Sequence, residues 1–201
     1  MVIIHHRRNL ISELCDTNSK YGVEIDIRSD SNKLILHHDP FTEGTPFEEW
    51  LDHFEHNTLI LNVKEEGLEN KILDLMKLKN IENYFFLDQS FPFLLKSAKS
   101  GERRCAVRVS EFESIDTALS LAPMIDWAWI DCFSKFPLTG NEASLLKDCG
   151  LKLCIVSPEL HGGNAEVKIK EMRELLSSGD IQVDAVCTKR PDLWGISHTF
   201  N

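Results

Sequence analysis

The sequence predicts an α/β protein in which eight strand–helix units close into a (β/α)8 barrel, the TIM barrel. Short β-type runs alternate with amphipathic helical stretches, mostly about 20 to 30 residues apart, as βα units require. No G-x-G-x-x-G motif follows the first run, which argues against the alternative of an open doubly wound sheet. The length of 201 residues lies near the lower limit of about 200 for such barrels.

The predicted strands are easily counted because each is short and β-branched or aromatic. They cover residues 2–5, 22–27, 34–37, 58–63, 84–87, 105–109, 127–131, 151–156 and 183–187. Amphipathic helical stretches cover residues 47–54, 68–78 and 165–176. We interpret 22–27 and 34–37 as one bent strand with a hairpin-like return, which leaves eight βα steps. Without a linker or low-complexity segment, a single domain over residues 1–201 is expected.

Composition narrows the class of protein. A chain that is 42% hydrophobic and 27% charged is typical of a soluble globular protein. The net charge of -10 argues against general binding to nucleic acid or to an anionic membrane surface, although a local cluster of Arg and Lys can still bind an anion. No apolar run is long enough to span a bilayer, no leader segment is evident, and the six cysteines have no CxxC spacing. A cytoplasmic protein is therefore expected.

Glu24 and Asp26 are the most informative pair in the chain. They lie two residues apart in the strand-like segment GVEIDIR, so they point to the same face, whereas Val23, Ile25 and Ile27 occupy the other face. Like charges side by side repel, and their burial without compensation is costly. A hard divalent cation such as Mg²⁺ or Ca²⁺ resolves this conflict. The alternative is an edge strand with one hydrated face.

A barrel places its chemistry at the C-terminal ends of the strands. The polar residues predicted there are His6, Arg7, Glu24, Asp26, His38, Asp39, Asn62, Lys64, Asp88, Arg108, Asp131, Glu159, Thr188 and Lys189. The set combines histidines for proton transfer, acids for a cation, and Arg and Lys for an anion. That combination suits the cleavage of a phosphodiester.

Four short segments that contain these residues occur in an order that resembles the glycerophosphodiester phosphodiesterase family. They are HHRR near the N-terminus, then EID, HHDP and LNVK, and the closing segment VDAVCTKRPDLW is similar to the family's last strand. That family shares a TIM barrel with the phosphatidylinositol phospholipase C and sphingomyelinase D enzymes. The resemblance implies a phosphoric diester hydrolase with a divalent metal cofactor and a small phosphodiester substrate.

The resemblance also implies a role for each matching residue. His6 and His38 match the acid/base pair, and Glu24 and Asp26 match the metal-binding acids. Asn62 stands where the family has a third metal-binding acid, so a weaker metal site is expected, in which other acids could supply the missing charge. The candidates for that role are Asp39, Asp131 and Glu159.

Cations for the substrate phosphate complete the expected site. Lys64 matches the family's phosphate-binding lysine, Arg7 follows the first catalytic histidine, and Arg108 is expected to join them from a later strand. Two further departures from the family are Arg8 in place of a glycine and Lys189 in place of the aspartate in the closing turn. The short connection between the second and third barrel strands resembles the sphingomyelinase D branch and leaves the substrate head group open.

Two pairs of adjacent histidines require a choice. His5 and His6, like His37 and His38, point to opposite faces of a strand, and alternation alone does not decide which member is functional. The resemblance selects His6 and His38. The remaining histidines, interpreted as surface or packing residues, are His53, His56, His161 and His198, and Trp127 and Trp129 are interpreted as core groups.

The expected function is that of a metal-dependent phosphodiesterase, acting by histidine acid–base catalysis on a glycerophosphodiester-like or related substrate. Water or a neighbouring substrate hydroxyl is the nucleophile, and the sequence does not separate these routes. A catalytically weakened or inactive barrel that binds a phosphorylated ligand is the alternative, favoured by Arg8, Asn62 and Lys189. A sugar-phosphate isomerase on the same fold is a third hypothesis. The sequence shows no base for that reaction apart from the residues already named.

Overall fold

A computed structural model describes residues 1–195 and contains the predicted alternation of strands and helices. The strands are β1 (Val2–His5), β2 (Gly22–Asp30), β3 (Lys33–Leu36), β4 (Thr45–Pro46), β5 (Leu59–Val63), β6 (Tyr84–Leu87), β7 (Ala106–Val109), β8 (Trp127–Ile130), β9 (Lys152–Val156) and β10 (Ala185–Thr188). The helices are α1 (Ile11–Cys15), α2 (Phe47–Leu51), α3 (Glu69–Leu78), α4 (Phe91–Lys99), α5 (Ile115–Leu121), α6 (Gly140–Asp148), α7 (Ala165–Ser178) and α8 (Pro191–Trp194). A 3-10 turn covers Pro158–His161. His198 lies outside the described residues.

Eight strands form the curled parallel sheet that the sequence predicts. β2 pairs with β1 and β5, β5 pairs with β6, and β7 to β10 pair in order until β10 returns to β1. Between β6 and β7 the sheet has an isolated parallel bridge, which joins Phe86 to Cys105. The predicted (β/α)8 fold class is therefore confirmed, with its loosest junction between β6 and β7.

The hairpin predicted after the second strand is also confirmed. β2 and β3 pair in antiparallel register from Ile27 with Leu36 to Asp30 with Lys33. Ser31 adopts a φ of 55° at the tip of this hairpin. Since β3 pairs only in antiparallel register, with the end of β2 and with β4, it lies outside the set of eight parallel strands that form the barrel.

Alternation along each strand divides the core into two apolar regions. Ile4, Ile60 and Phe85 fill the interior of the barrel, where Phe85 stacks on Trp127 at a ring distance of 4.4 Å. Residues of opposite parity, such as Ile25, pack against the surrounding helices. A residue two positions beyond an interior residue is also directed inward, and this rule carries the polar groups at the strand ends into the barrel mouth.

Helix α7 illustrates how the sequence forms the outer layer. The Asn164 side chain accepts a hydrogen bond from the Val167 N–H and so caps the helix start. Ile169, Met172 and Leu176 are buried at spacings of three and four residues, which places one apolar face on the sheet. Within residues 1–195, no helix is long and apolar enough to cross a membrane.

Candidate active site

The inward positions of β2 and β5 bring the predicted metal ligands together, and His6 directly follows the neighbouring strand β1. Parallel pairing places Asp26 beside Asn62, and Glu24 lies one inward position earlier on the same strand. Glu24 and Asp26 are each 1% exposed, so the alternative of a hydrated edge strand is wrong. Two buried carboxylates on one face require hydrogen-bond donors or positive charge beside them.

Glu24 is held by neutral donors. Its Oε2 accepts a hydrogen bond of 2.7 Å from the Arg7 backbone N–H, and its Oε1 accepts one of 2.9 Å from Asn62 Nδ2. Arg7 has a φ of 56°, a left-handed conformation that is uncommon for a residue other than glycine. Burial and the negative charge of Asp26 raise the pKa of Glu24 to about 7. A cation beside this pair would relieve both effects.

Asp26 is surrounded by charged and amide groups. Lys64 Nζ lies 3.2 Å from its Oδ1, and Arg7 Nε lies 3.3 Å from its Oδ2 without an aligned hydrogen bond. Asn9 clamps the same residue, because its Nδ2 donates to Asp26 Oδ2 and its Oδ1 accepts from the Asp26 backbone N–H, each at 2.9 Å. Asn9 directly follows the HHRR segment, but it is not among the predicted site residues. Its role comes from contact with Asp26 of β2, which is distant in the sequence.

The oxygen atoms around Asn62 fit a hard cation. Asn62 Oδ1 is buried and has no hydrogen-bond partner, an arrangement that is costly unless another group occupies the site. With the carboxylates of Glu24 and Asp26 it makes a donor set of two acids and one amide. Among residues 1–195 no group of three or more His, Cys, Asp or Glu residues is arranged to hold a metal ion.

The three acids considered as additional ligands have other partners. Asp39 is exposed and its Oδ1 lies 2.8 Å from His38 Nδ1. Asp131 binds Arg108. Glu159 accepts hydrogen bonds from Thr188 Oγ1 at 2.5 Å and from the Lys189 N–H at 3.0 Å, so it fixes the turn after β10. In this structure none of them joins the Glu24–Asp26 pair.

His6 and His5 have different surroundings. His6 Nε2 lies 3.9 Å from Glu24 Oε2, and burial together with the positive charges of Arg7 and other cations lowers the pKa of His6 to about 3. His6 is therefore neutral at pH 7 in the ligand-free protein. The His5 ring packs on Tyr21 at 4.9 Å, outside the barrel mouth.

Arg8 does not crowd the site, although a glycine is usual there in the family that the sequence resembles. Its Nη2 lies 2.9 Å from His5 Nδ1, and its Nε donates a hydrogen bond of 3.1 Å to Thr17 Oγ1. The Trp50 Nε1–H donates to the Arg8 backbone oxygen at 2.9 Å. The guanidinium is thus held beside His5, and its charge helps to lower the pKa of His5 to about 4, after burial as the larger cause.

His38 borders a cavity of about 600 Å³ that Arg7 also lines. The Arg28 guanidinium fixes the backbone here, because its Nε and Nη2 donate hydrogen bonds of 3.1 and 2.9 Å to the His38 oxygen. Hydrogen bonding to His38 lowers the pKa of Asp39. His37 lines the same cavity, and its Nδ1 lies 3.0 Å from the Asp39 backbone N. Both histidines are partly buried, so burial does not show which of them is functional.

A network of alternating charges crosses the barrel mouth from Lys64. Lys64 Nζ lies 3.7 Å from Asp88 Oδ2, Asp88 binds Arg108, and Arg108 binds Asp131. His161 Nε2 ends the network 2.7 Å from Asp131 Oδ1. The interpretation of His161 as a surface or packing residue therefore missed a polar contact, which the 3-10 turn after β9 creates.

Comparison with known proteins supports the fold. Searches against family models and against curated proteins give no match. A glycerophosphodiester phosphodiesterase structure from Agrobacterium tumefaciens is 16% identical with a TM-score of 0.65, over 96% of this chain and 97% of that one. A glycerophosphoryl diester phosphodiesterase from Parabacteroides distasonis is 14% identical with a TM-score of 0.69, over 96% and 84%.

The same fold also occurs with a different chemistry. A tryptophan synthase α-subunit from Pyrococcus furiosus is 10% identical with a TM-score of 0.54, over 93% of this chain and 86% of that one. The two glycerophosphodiester phosphodiesterase structures therefore confirm the resemblance at the level of the fold. Any activity must be argued from the side chains at the barrel mouth.

Proposed function

We propose that the protein is a phosphodiesterase that cleaves a small phosphodiester, glycerophosphodiester-like or related. One observation carries the proposal: the buried acids Glu24 and Asp26 lie at the barrel mouth together with His6, Arg7 and Lys64. This arrangement combines a neutral base, positive charge for an anion and oxygen ligands for a cation within one site. The structural neighbours named as glycerophosphodiester phosphodiesterases support it.

We propose a divalent cation, Mg²⁺ or Ca²⁺, as the cofactor, with Glu24, Asp26 and Asn62 Oδ1 as its protein ligands. When bound, it would neutralise negative charge on the substrate phosphate. Arg7 and Lys64 would contact the other phosphate oxygens, and Arg108 would join them from β7. Without a cation, these three basic residues pair with four acids among residues 1–195: Asp26, Asp88, Glu113 and Asp131.

The two histidines divide the proton transfers. Neutral His6 takes the proton from the nucleophile, either water or a neighbouring substrate hydroxyl, in the second case giving a cyclic phosphate. His38 donates a proton to the leaving alkoxide, and Asp39 orients its ring through the contact at Nδ1. The backbone of His38 is in turn fixed by Arg28.

Hydrolysis of bis-p-nitrophenyl phosphate with Mg²⁺ or Ca²⁺, and again with chelator, tests this proposal. We expect activity that the chelator removes and that Glu24→Gln abolishes, with His53→Gln as a control at a histidine outside the site. Activity that survives chelator would contradict the metal requirement. Absence of activity on a range of diesters with each ion would contradict the enzymatic proposal.

Asn62 favours a second candidate, a barrel that binds a phosphorylated ligand without turnover. An amide oxygen lacks the charge of a carboxylate, so the cation site has one negative charge fewer than a three-acid site. Binding of phosphate in the absence of any diester hydrolysis would support this candidate. Six free cysteines are consistent with a reducing compartment, and we propose the cytoplasm for either function.

A further inference from the structure

A second cavity adjoins the charge network at the junction of β6 and β7. Beyond the isolated bridge between Phe86 and Cys105 the next register pair would be Leu87 with Ala106, but the two strands do not pair there. Both residues instead line a cavity of about 640 Å³. Its size falls within the range of about 300 to 1,000 Å³ that is typical of sites for small ligands.

Part of the lining of this cavity is apolar. Leu94 and Val107 are buried in its wall, and the rings of Phe91 and Phe112 stand at its rim, 51% and 81% exposed. Exposed aromatic rings are costly in water unless a partner covers them. Phe112 packs near Phe133 at a ring distance of 6.1 Å, so it has a fixed apolar neighbour on the adjacent loop.

Another part of the lining is polar and belongs to the charge network at the barrel mouth. Asp88 and Arg108 line it and bind each other. Asp88 also lies 3.7 Å from Lys64, the proposed phosphate contact. A ligand whose phosphate contacts Arg108 would therefore have a substituent next to this cavity, which Phe91 and Phe112 also line.

We propose that this cavity is a subsite for an alkyl substituent of the phosphodiester, so that the enzyme prefers amphiphilic diesters with an apolar arm. The inference rests on the proposed function, because it uses the same phosphate position. The charged groups in the cavity wall favour an uncharged arm, because Arg108 is already paired with acids. Glu113 Oε1, for example, lies 3.9 Å from Arg108 Nε. The Ser114 hydroxyl is engaged in capping α5.

Binding of n-alkyl phosphates from methyl to octyl, measured by calorimetry with Mg²⁺, tests the subsite without any catalytic step. We expect the affinity to rise roughly two- to fourfold for each methylene until the cavity is full. Phe112→Ala should reduce this increase. Thr117→Phe should end it at a shorter chain, because Thr117 lines the cavity and the larger ring would occupy part of it.

Phe41→Ala is the matched control, since Phe41 is fully exposed on another loop and does not line the cavity. It should leave the chain-length dependence unchanged. Equal affinity for methyl and octyl phosphate, or no binding of octyl phosphate, would overturn the subsite. An equal loss of octyl phosphate affinity in Phe41→Ala and Phe112→Ala would also overturn it, because it would indicate adsorption to the loop face.

The two proposals fail in different ways. Hydrolysis of short diesters without any chain-length dependence of binding would remove the subsite and leave the phosphodiesterase intact. Chain-length-dependent binding without turnover of any diester would retain the subsite and contradict the activity.

Discussion

Lys64 Nζ lies 3.2 Å from Asp26 Oδ1. The lysine expected at the substrate phosphate and the acid expected at the metal thus neutralise each other in the ligand-free protein. A cation that binds Asp26 would compete with Lys64 and release its charge towards an anion. Binding of metal and binding of phosphate are therefore expected to be mutually favourable, each strengthening the other by the same factor.

This relationship predicts the behaviour of Lys64→Ala. Inorganic phosphate with Mg²⁺ should raise the melting temperature of the unmodified protein by mass action, and most of that increase should be lost in Lys64→Ala. Lys170→Ala is the matched control, because Lys170 pairs with Glu174 on the exposed surface. Scanning calorimetry with and without phosphate measures the effect. An undiminished increase in Lys64→Ala would show that Lys64 does not contact the anion.

The second prediction separates His6 from its neighbour. His6→Asn should lower kcat by about 10²- to 10⁴-fold, because it removes the neutral base beside Glu24. His5→Asn should lower kcat far less, since His5 packs on Tyr21 outside the site. Steady-state hydrolysis of the p-nitrophenyl diester, with circular dichroism to verify folding, measures both. Similar losses of kcat in the two variants would show that both histidines serve packing rather than catalysis.

The third prediction concerns the other histidine pair, which burial does not distinguish. His38→Asn should lower kcat by about 10²- to 10⁴-fold, whereas His37→Asn should have a small effect. The loss in His38→Asn should be smaller for a substrate with a good leaving group, because such an alkoxide needs less protonation. The same loss with poor and good leaving groups would count against His38 as the general acid.

The fourth prediction uses Asn62. Asn62→Asp adds a carboxylate next to Glu24 and Asp26, and it should tighten Mg²⁺ binding in calorimetry. Glu24→Gln should abolish that binding. The melting temperature of Asn62→Asp without metal should fall, because a third buried negative charge lacks compensation. Unchanged Mg²⁺ affinity in Asn62→Asp would mean that residue 62 does not face the cation.

The fifth prediction concerns pH. The pKa of His5 is about 4 in the folded protein against 6.5 for the free side chain. Between these values the unfolded chain binds a proton that the folded protein does not, so the free energy of unfolding falls as the pH decreases through this window. In His5→Asn the new amide side chain can still accept a hydrogen bond from Arg8, but it does not titrate.

Urea unfolding of His5→Asn at about pH 7 and about pH 4.5 measures this effect. The variant should lose less stability on acidification than the unmodified protein, by an amount on the order of 1 kcal/mol after allowance for the half-exposed ring. His6 and the acids contribute equally to both proteins and cancel in the comparison. An identical loss in the two proteins would contradict the assignment of the window to His5.

The fold was predictable because its signals are local. Each strand is a short β-branched or aromatic run, and the alternation of Ile25 with Glu24 and Asp26 identifies which face is polar. Asp26 and Asn62 are neighbours because consecutive parallel strands align in register. These relationships depend on a period of two and on the order of strands, both of which a sequence displays.

The rest of the site depends on contacts between distant segments. Asn9 clamps Asp26 from 17 residues away, Arg28 reaches the His38 backbone, and His161 reaches Asp131 from 30 residues away. No spacing rule marks these partners. The cavity beside Arg108 likewise arises from strands that cease to pair, which hydrophobic periodicity does not encode.

The isolated bridge between Phe86 and Cys105 separates the chain into two parts, with four parallel barrel strands before it and four after it. The proposed base and cation ligands, His6, Glu24 and Asp26 among them, all precede this junction, whereas the wall of the apolar cavity is built from both sides of it. On the proposed function, the base and the cation ligands are encoded before the junction, whereas Arg108 and part of the cavity wall are encoded after it. Exchange of the second half with that of another barrel, with Arg108 retained, would be a route to new substrate preferences that keeps the proposed base and cation ligands in place.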